Sequence, residues 1–206
     1  MNTPADEQGD QLKTTEQRRS SNDGMARNGS LVITGLRGPV APVVVMMGVA
    51  GTGKSAVGSA LAEATGWAFL DADDFHPEAN LRKMRSGVPL TDADRWPWLE
   101  DLSQLLREHQ GRGERCVLAC SALKQAYRAL LEEAAPSARW FHLHGPTDLI
   151  ASRLRSRSGH FMGAEMLQSQ LRDLEPPSRA TRLDIRLSVE ELLQCVIKAL
   201  AEPAEI

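Results

Sequence analysis

A glycine-rich loop between an apolar run and an amphipathic segment constrains this chain more than any other feature. The run VVVMM at residues 43–47 is continuously apolar, as expected of a strand buried on both faces of a sheet. GVAGTGKS follows at 48–55 and fits the pattern G-x-x-x-x-G-K-[ST], and residues 54–65 then place apolar side chains at helical spacing. A strand, this loop and a helix, in that order, predict a phosphate-binding P-loop.

The loop predicts a site for the phosphates of a nucleotide. Glycines let the backbone curl until successive N–H groups point inward, and the N-terminus of the next helix adds partial positive charge. Lys54 is expected to reach the outer phosphates, and the Ser55 hydroxyl to bind magnesium. The residues expected to contact the nucleotide are Gly48, Val49, Ala50, Gly51, Thr52, Gly53, Lys54, Ser55 and Ala56. The alternative interpretation is an ordinary glycine-rich turn.

From Val43 onward, short apolar runs alternate with helical patterns. Strands are predicted at 43–47, 67–70, 115–120, 139–145 and 182–187. Helices are predicted at 54–65, 76–87, from near Asp94, at 123–134, 147–155, 164–173 and 188–201. Pro97 is expected in the first turn of the helix near Asp94, where proline is tolerated. This alternation predicts an α/β domain over 41–206, with helices on both faces of a mainly parallel sheet. Residues 1–40 are polar and lack an apolar period, so we expect a disordered tail.

Three aspartates follow the second predicted strand, in FLDADDF at 69–75. Alternate residues of an extended segment share a face, so Asp71 and Asp73 are expected to point one way and Asp74 the other. Ligands bind at the carboxyl ends of the strands in an open parallel sheet, and these carboxylates are therefore expected beside the P-loop. One could order the water shell of magnesium, and the other could accept a proton from an attacking hydroxyl. Solvated loop residues or helix caps are the alternative interpretation.

Charge and cysteine content narrow the expected partners and location. The formal net charge is −3 and the isoelectric point is about 6.0, which argues against nucleic acid, since such partners need a basic face. No apolar run approaches the roughly 18 to 20 residues needed to span a bilayer. The three cysteines lack metal-type spacing and favour a reducing compartment. We expect a cytoplasmic protein that binds neither nucleic acid nor membrane.

The longer motifs resemble the small P-loop gluconokinases, relatives of shikimate and adenylate kinases. The matching stretches are MGVAGTGKS, FLDADDFHPEANLRKMRSGVPLTDADRWPWL, CSALKQAYRALL and SRLRSRSGHFM, between about residues 44 and 175. The resemblance implies a three-layer α/β/α P-loop kinase fold, with a five-stranded parallel sheet in the order 2-3-1-4-5 and a mobile lid at about 153–163. It also implies transfer of the γ-phosphate of ATP, with Mg²⁺, to the 6-hydroxyl of D-gluconate, by a homodimer.

The resemblance also assigns roles to individual residues. Asp73 is similar to the carboxylate that binds the sugar acid and its reacting hydroxyl, and Asp71 to the carboxylate near magnesium. The residues expected around the acceptor are Asp73, His76, Lys83, Arg95, Ser121, Lys124 and Arg128. The lid contributes Arg153, Arg155, Arg157 and His160, and the expected catalytic residues are Lys54, Asp73, Arg153 and Arg157. Such cations suit an anionic acceptor and the charge on a transferred phosphoryl group.

Other functions share parts of this pattern. A shikimate-like or nucleotide kinase would have the same P-loop, and the stretch from DADDFHP to DADRWPWL favours a gluconokinase over both. A nucleotide-binding module without turnover would not need Lys54, Ser55, Asp71 and Asp73 together. The basic stretch RLRSRSGH at 153–160 could be a solvated turn or a nucleic-acid patch, although it has no interleaved aromatic residue. The chain departs from the family at 174–177, where it has LEPP in place of LEEP.

Overall fold

The sheet is built around β1, whose residues Val43–Met47 are all fully buried. The structure is a computed structural model that describes residues 43–156 and 164–202. Its other strands are β2 (Ala68–Asp71), β3 (Cys116–Ala119), β4 (Arg139–His144) and β5 (Thr181–Asp184). They lie in the order β2-β3-β1-β4-β5, and every neighbouring pair is parallel. The predicted parallel sheet and its strand order are therefore confirmed.

Helices cover both faces of this sheet and complete a three-layer α/β/α fold. They are α1 (Lys54–Thr65), α2 (Glu78–Arg85), α3 (Asp92–Gly111), α4 (Gln125–Ala134), α5 (Thr147–Ser156), α6 (Ala164–Asp173) and α7 (Val189–Ala201). Leu102 of α3 and Leu131 of α4 belong to the apolar cluster on one face. Leu61 of α1 and Val196 of α7 belong to the cluster on the other. In the described part of the chain, no helix has the length and apolar character required to cross a membrane.

Helix α3 begins at Asp92 rather than near Asp94, because Thr91 forms its N-cap. The Thr91 hydroxyl accepts from the Asp94 N–H at 3.3 Å, and the Asp94 carboxylate accepts from the Thr91 N–H at 2.8 Å. This capping box satisfies two backbone donors at the helix start. Pro97 consequently lies beyond the first turn, and the prediction for its position is wrong. There it removes the N–H that would donate to the carbonyl of Ala93.

The site is positioned by the carboxyl ends of β1, β2 and β3. In the strand register, Met46 of β1 and Asp71 of β2 both lie beside Ala119 of β3, on its two sides. The loops that follow these strands therefore leave the same edge of the sheet. The predicted tail at 1–40 lies outside the described residues, so its expected disorder stays a prediction.

Candidate active site

The loop between β1 and α1 has a backbone that requires glycine. Gly48 and Gly51 have φ values of +138° and +83°. A Cβ at Gly48 would lie 2.5 Å from the carbonyl oxygen of Leu143, and one at Gly51 would lie 2.8 Å from Cγ of Leu154. A side chain would thus meet both backbone strain and a steric clash at each position. The predicted nucleotide contacts at 48–56 fall in this loop and the first turn of α1.

Polar side chains close the loop from inside. The Thr52 hydroxyl is buried and donates to the Val49 carbonyl oxygen at 2.8 Å. Lys54 Nζ donates to the same carbonyl oxygen at 3.3 Å, so its side chain lies back over the loop. The lysine ammonium is therefore placed beside the backbone amides that would receive phosphate oxygens.

The two groups predicted to hold magnesium contact each other. Ser55 Oγ, in the first turn of α1, donates to Oδ2 of Asp71, the last residue of β2, at 2.6 Å. Hydroxyl and carboxylate oxygens are the hard ligands that Mg²⁺ prefers. Mg²⁺ is usually held by one or two protein oxygens together with substrate phosphates, and this pair beside the P-loop fits that arrangement.

The chain does not stay extended after Asp71. Residues Ala72–Phe75 form a 3-10 turn, in which the Asp71 carboxylate accepts from the Asp73 N–H at 3.1 Å. The extended backbone assumed for this segment is therefore wrong, although Asp71 contacts Ser55 of the first turn of α1 and Asp73 lines a cavity with Lys54. Asp71 caps the turn as well as contacting Ser55, and Asp73 projects from the turn with 72% of its side chain exposed. Its Oδ1 lies 3.9 Å from Nε2 of His76.

The ring of His76 is buried and held in one orientation. It stacks on the indole of Trp98 with 4.1 Å between ring centroids. Trp98 is fixed in turn, since its Nε1 donates to the carbonyl oxygen of Ala72 at 2.8 Å. This stacking places the imidazole edge beside the turn that carries Asp73.

The tautomer of His76 follows from its neighbour Asn80. Asn80 Nδ2 lies 3.4 Å from Nδ1 of His76, and it also donates to the carbonyl oxygen of Asp94 at 2.8 Å. An amide NH₂ can only donate, so Nδ1 is the acceptor and the proton of the neutral ring is on Nε2. Burial lowers the pKa of His76, the Asp73 carboxylate partly offsets this effect, and Arg95 reinforces it. His76 therefore presents an N–H donor on the side of Asp73.

Both halves of the site open into one cavity. The P-loop contributes Ala50 and Lys54 to its lining, and the segment after β2 contributes Asp73 and His76. The rest of the lining comes from Met84, Pro89, Leu90, Arg95, Trp98, Ser121, Met166, Ser169 and Gln170. Phosphates bound at the P-loop and a molecule bound beside Asp73 would share this space.

Both lysines predicted around the acceptor lie outside that lining and pair with aspartates near the start of α3. Lys83 Nζ is 2.6 Å from Asp94 Oδ1, and this hydrogen bond is the largest cause that lowers the pKa of Asp94 to about 2. Lys124 Nζ is 2.7 Å from Asp92 Oδ1, a contact that raises the pKa of Lys124. Each lysine thus holds a carboxylate in the structure.

Arg95 of α3 lines the cavity and joins it to helix α6. Its Nη1 donates to Asp173 Oδ2 at 3.1 Å and to the Tyr127 hydroxyl at 3.2 Å. The Arg95 side chain is only 12% exposed. The structure therefore places the predicted acceptor residues Asp73, His76 and Arg95 together, with Ser121 on the same lining.

Arg128 lies behind the turn that carries Ser121 and does not line this cavity. Its buried guanidinium donates through Nη1 to the carbonyl oxygens of Ala122 and Leu123, both at 2.9 Å. Ala122 has a φ of +44°, which is unfavourable for a residue with a Cβ. Arg128 thus stabilises a strained turn beside the site, where the sequence predicted a contact with the acceptor.

The predicted lid, at 153–163, falls within the described residues only as far as residue 156. Arg153 Nη2 donates to the carbonyl oxygen of Ile185, just after β5, at 2.7 Å. Arg155 is exposed in the last turn of α5. Arg157 and His160 lie outside the described residues, and their expected roles stay predictions.

Seven residues of the cavity lining were not among the predicted site residues, and two of these, Gln170 and Trp98, contact other groups of the site. Gln170 of α6 accepts a hydrogen bond at Oε1 from the Ala50 N–H at 2.6 Å. Nothing in the polar pattern of α6 marks this glutamine. Trp98 supports His76 by stacking, and its place in the motif DADRWPWL was a signal that could have identified it.

Known proteins are similar to this chain in sequence and in structure. The sequence model of a family described as an AAA domain matches residues 43–177. A gluconokinase of Gluconobacter oxydans is 45% identical over 157 residues, covering 76% of this chain and 88% of that protein. The thermoresistant gluconokinase of Escherichia coli is 40% identical over 160 residues, covering 78% of this chain and 91% of that protein. The crystal structure of a gluconokinase from Sinorhizobium meliloti 1021 aligns with a TM-score of 0.72 and 42% identity, covering 80% of this chain and 94% of that one.

Proposed function

This chain belongs to the gluconokinase family, and on that premise we propose that it transfers the γ-phosphate of ATP to the 6-hydroxyl of D-gluconate. The products are 6-phospho-D-gluconate and ADP. The observation that carries this proposal is one shared cavity, which Lys54 lines on one side and Asp73 and His76 line on the other. A kinase needs such a space, because the attacking hydroxyl must lie in line with the γ-phosphorus.

On the nucleotide side, the backbone amides of 48–53 and the Lys54 ammonium bind the phosphates. Ser55 and Asp71 are the residues that would hold magnesium, since their oxygens are 2.6 Å apart beside the P-loop. When bound, the ion would neutralise negative charge on the phosphates. Arg153 and Arg157 are assigned to the transferred phosphoryl group by resemblance to the family.

On the acceptor side, Asp73 accepts the proton of the attacking hydroxyl as its oxygen bonds to phosphorus and ADP leaves. The 3-10 turn presents Asp73 without tying its carboxylate into the core, so the carboxylate can reach a bound sugar acid. His76 donates through Nε2–H to an oxygen of the same acceptor, in an orientation fixed by Trp98 and Asn80. Arg95 supplies positive charge for the carboxylate or hydroxyls of gluconate.

The proposed setting is a cytoplasmic homodimer that uses Mg²⁺ and binds neither nucleic acid nor membrane. The net charge of −3 supports the absence of a nucleic-acid partner. The dimer rests on the family resemblance. Light scattering at several protein concentrations tests the dimer, since a monomer mass of 22.5 kDa throughout would contradict it.

An ADP-release assay across acceptors tests the proposed reaction. Gluconate, shikimate, nucleoside monophosphates and buffer alone are compared at one fixed concentration of Mg–ATP. We expect ADP formation to depend on gluconate, and we expect Lys54→Ala to abolish that dependence. If the wild-type protein makes ADP no faster with gluconate than without it, the acceptor assignment is wrong. Stimulation by shikimate or a nucleoside monophosphate instead would move the chain to another branch of P-loop kinases.

A further inference from the structure

A side chain from α6 occupies one of the amides of the P-loop. Oε1 of Gln170 accepts from the Ala50 N–H at 2.6 Å, across 120 residues of sequence. Amides of this loop are the groups that would receive phosphate oxygens. A ligand oxygen that needs the Ala50 N–H must therefore replace the Gln170 carbonyl.

Two contacts, one on each side of Gln170 along the helix, hold α6 in place. Leu167, one turn earlier, is buried in the apolar cluster that also contains residues of α1 and α7. One turn later, Asp173 accepts from Arg95 at 3.1 Å. Gln170 thus reaches the P-loop from a fixed helix, and a change of its own side-chain rotamer is enough to release Ala50.

The position of Ala50 indicates which phosphate would compete with Gln170 for the Ala50 N–H. Ala50 lines the same cavity as Asp73 and His76, the residues assigned to the acceptor. The phosphate that meets the acceptor is the one that is transferred, so this part of the loop faces the γ-phosphate. The β-phosphate of ADP would be held by the amides closer to the start of α1.

We propose that Gln170 competes with the γ-phosphate of ATP for the Ala50 N–H and so determines how strongly the protein distinguishes ATP from ADP. Gln170 caps the amide when the nucleotide lacks a γ-phosphate, and it turns away when a γ-phosphate oxygen takes its place. This inference deepens the proposed kinase function and rests on it for the use of ATP.

The test compares two nucleotides without any acceptor. Calorimetry measures the Kd values of Mg–ADP and of the Mg complex of the non-hydrolysable analogue with a β,γ-imido link. Gln170→Ala removes the competing oxygen, so analogue binding should strengthen relative to ADP by about two- to tenfold, the range of one net hydrogen bond. Gln170→Glu keeps the competing oxygen and adds a negative charge, so analogue binding should weaken relative to ADP by at least roughly tenfold.

Gln168→Glu is the matched control, because Gln168 is exposed on the same helix. It should leave the ratio of the two Kd values within about twofold of wild type. The proposal is overturned if Gln170→Ala does not raise the ratio of the Kd of Mg–ADP to the Kd of the analogue. It is also overturned if Gln170→Glu weakens the binding of both nucleotides equally. Failure of the kinase assignment would give a different result. If the wild-type protein binds neither nucleotide, the assignment of the P-loop to nucleotide binding is refuted. If the Kd ratio changes as expected but gluconate does not stimulate ADP formation, only the assignment of gluconate as acceptor is refuted.

Discussion

Asp73→Asn should separate catalysis from folding in this protein. The substitution keeps the shape of the side chain but removes its charge and the proposed proton acceptor. The Asp73 side chain is 72% exposed, and its Oδ1 lies 3.9 Å from Nε2 of His76. The free energy of unfolding should therefore change by less than about 0.5 kcal/mol, as is usual for exposed sites.

The expected effect of Asp73→Asn on the activation free energy of the reaction is far larger than its effect on the free energy of unfolding. A positioned general base contributes about 10²- to 10⁴-fold in rate, which corresponds to roughly 2.7 to 5.4 kcal/mol of activation free energy. Asp73 raises the pKa of His76, so its neutralisation leaves the imidazole more fully neutral and its Nε2–H donor intact. We therefore expect kcat to fall by at least roughly 100-fold, with the KM for ATP within about twofold of wild type.

A coupled assay of ADP release at saturating gluconate and ATP measures this loss, and thermal unfolding of the same samples measures stability. Asp74→Asn is the matched control, because Asp74 lies next to Asp73 in the same 3-10 turn and is exposed. That variant should keep most of the wild-type rate. The assignment of Asp73 is refuted if Asp73→Asn keeps more than a tenth of the wild-type kcat, or if the two variants lose rate equally.

Three further outcomes are expected. Lys54→Ala should fold normally and lose nearly all turnover, and a residual rate above a tenth of wild type would contradict its role on the phosphates. His76→Ala should raise the KM for gluconate by roughly two- to tenfold and leave the KM for ATP unchanged; equal changes in both would contradict its acceptor role. Burial lowers the pKa of His142 to about 4, so the unfolded state binds its proton first as the pH falls. Stability should fall by roughly 2 to 4 kcal/mol between pH 6.5 and 4, and a chemical denaturation series should show a flatter profile for His142→Gln; an equally steep profile would contradict the assignment.

The P-loop and the layered fold could be predicted because their signals are local. A strand, a glycine loop and a helix follow one another within residues 43–65, so no distant contact is needed to recognise them. The predicted ends of the strands were less accurate, because hydrogen bonds from side chains determine where a strand ends. Strand β5 stops at Asp184 rather than 187, where the Asp184 carboxylate accepts from the backbone N–H of Arg186 at 2.9 Å and turns the chain.

The partners of the site residues could not be predicted, because a periodic pattern identifies a face and not what lies against it. Ala50 and Gln170 are in contact although 120 residues separate them, and 78 residues separate Arg95 from Asp173. The 3-10 turn after β2 was missed for a related reason. Asp71 is both the end of a strand and the cap of that turn, and spacing alone cannot distinguish the two roles.

Arg95 shows how such distant pairings make an acceptor site usable. Its hydrogen bonds to Asp173 and Tyr127 both leave from Nη1, and a guanidinium carries five N–H donors in a fixed fork. Arg95 can therefore keep Asp173 while it donates to a bound acceptor, so ligand binding extends this network instead of breaking it. Asp173 limits the rotamers of a long side chain before the acceptor arrives, which lowers the entropy lost on binding. Among the cations expected around the acceptor, Arg95 is thus the one whose place in the cavity lining and whose support from α6 suit it best to hold an anionic sugar acid.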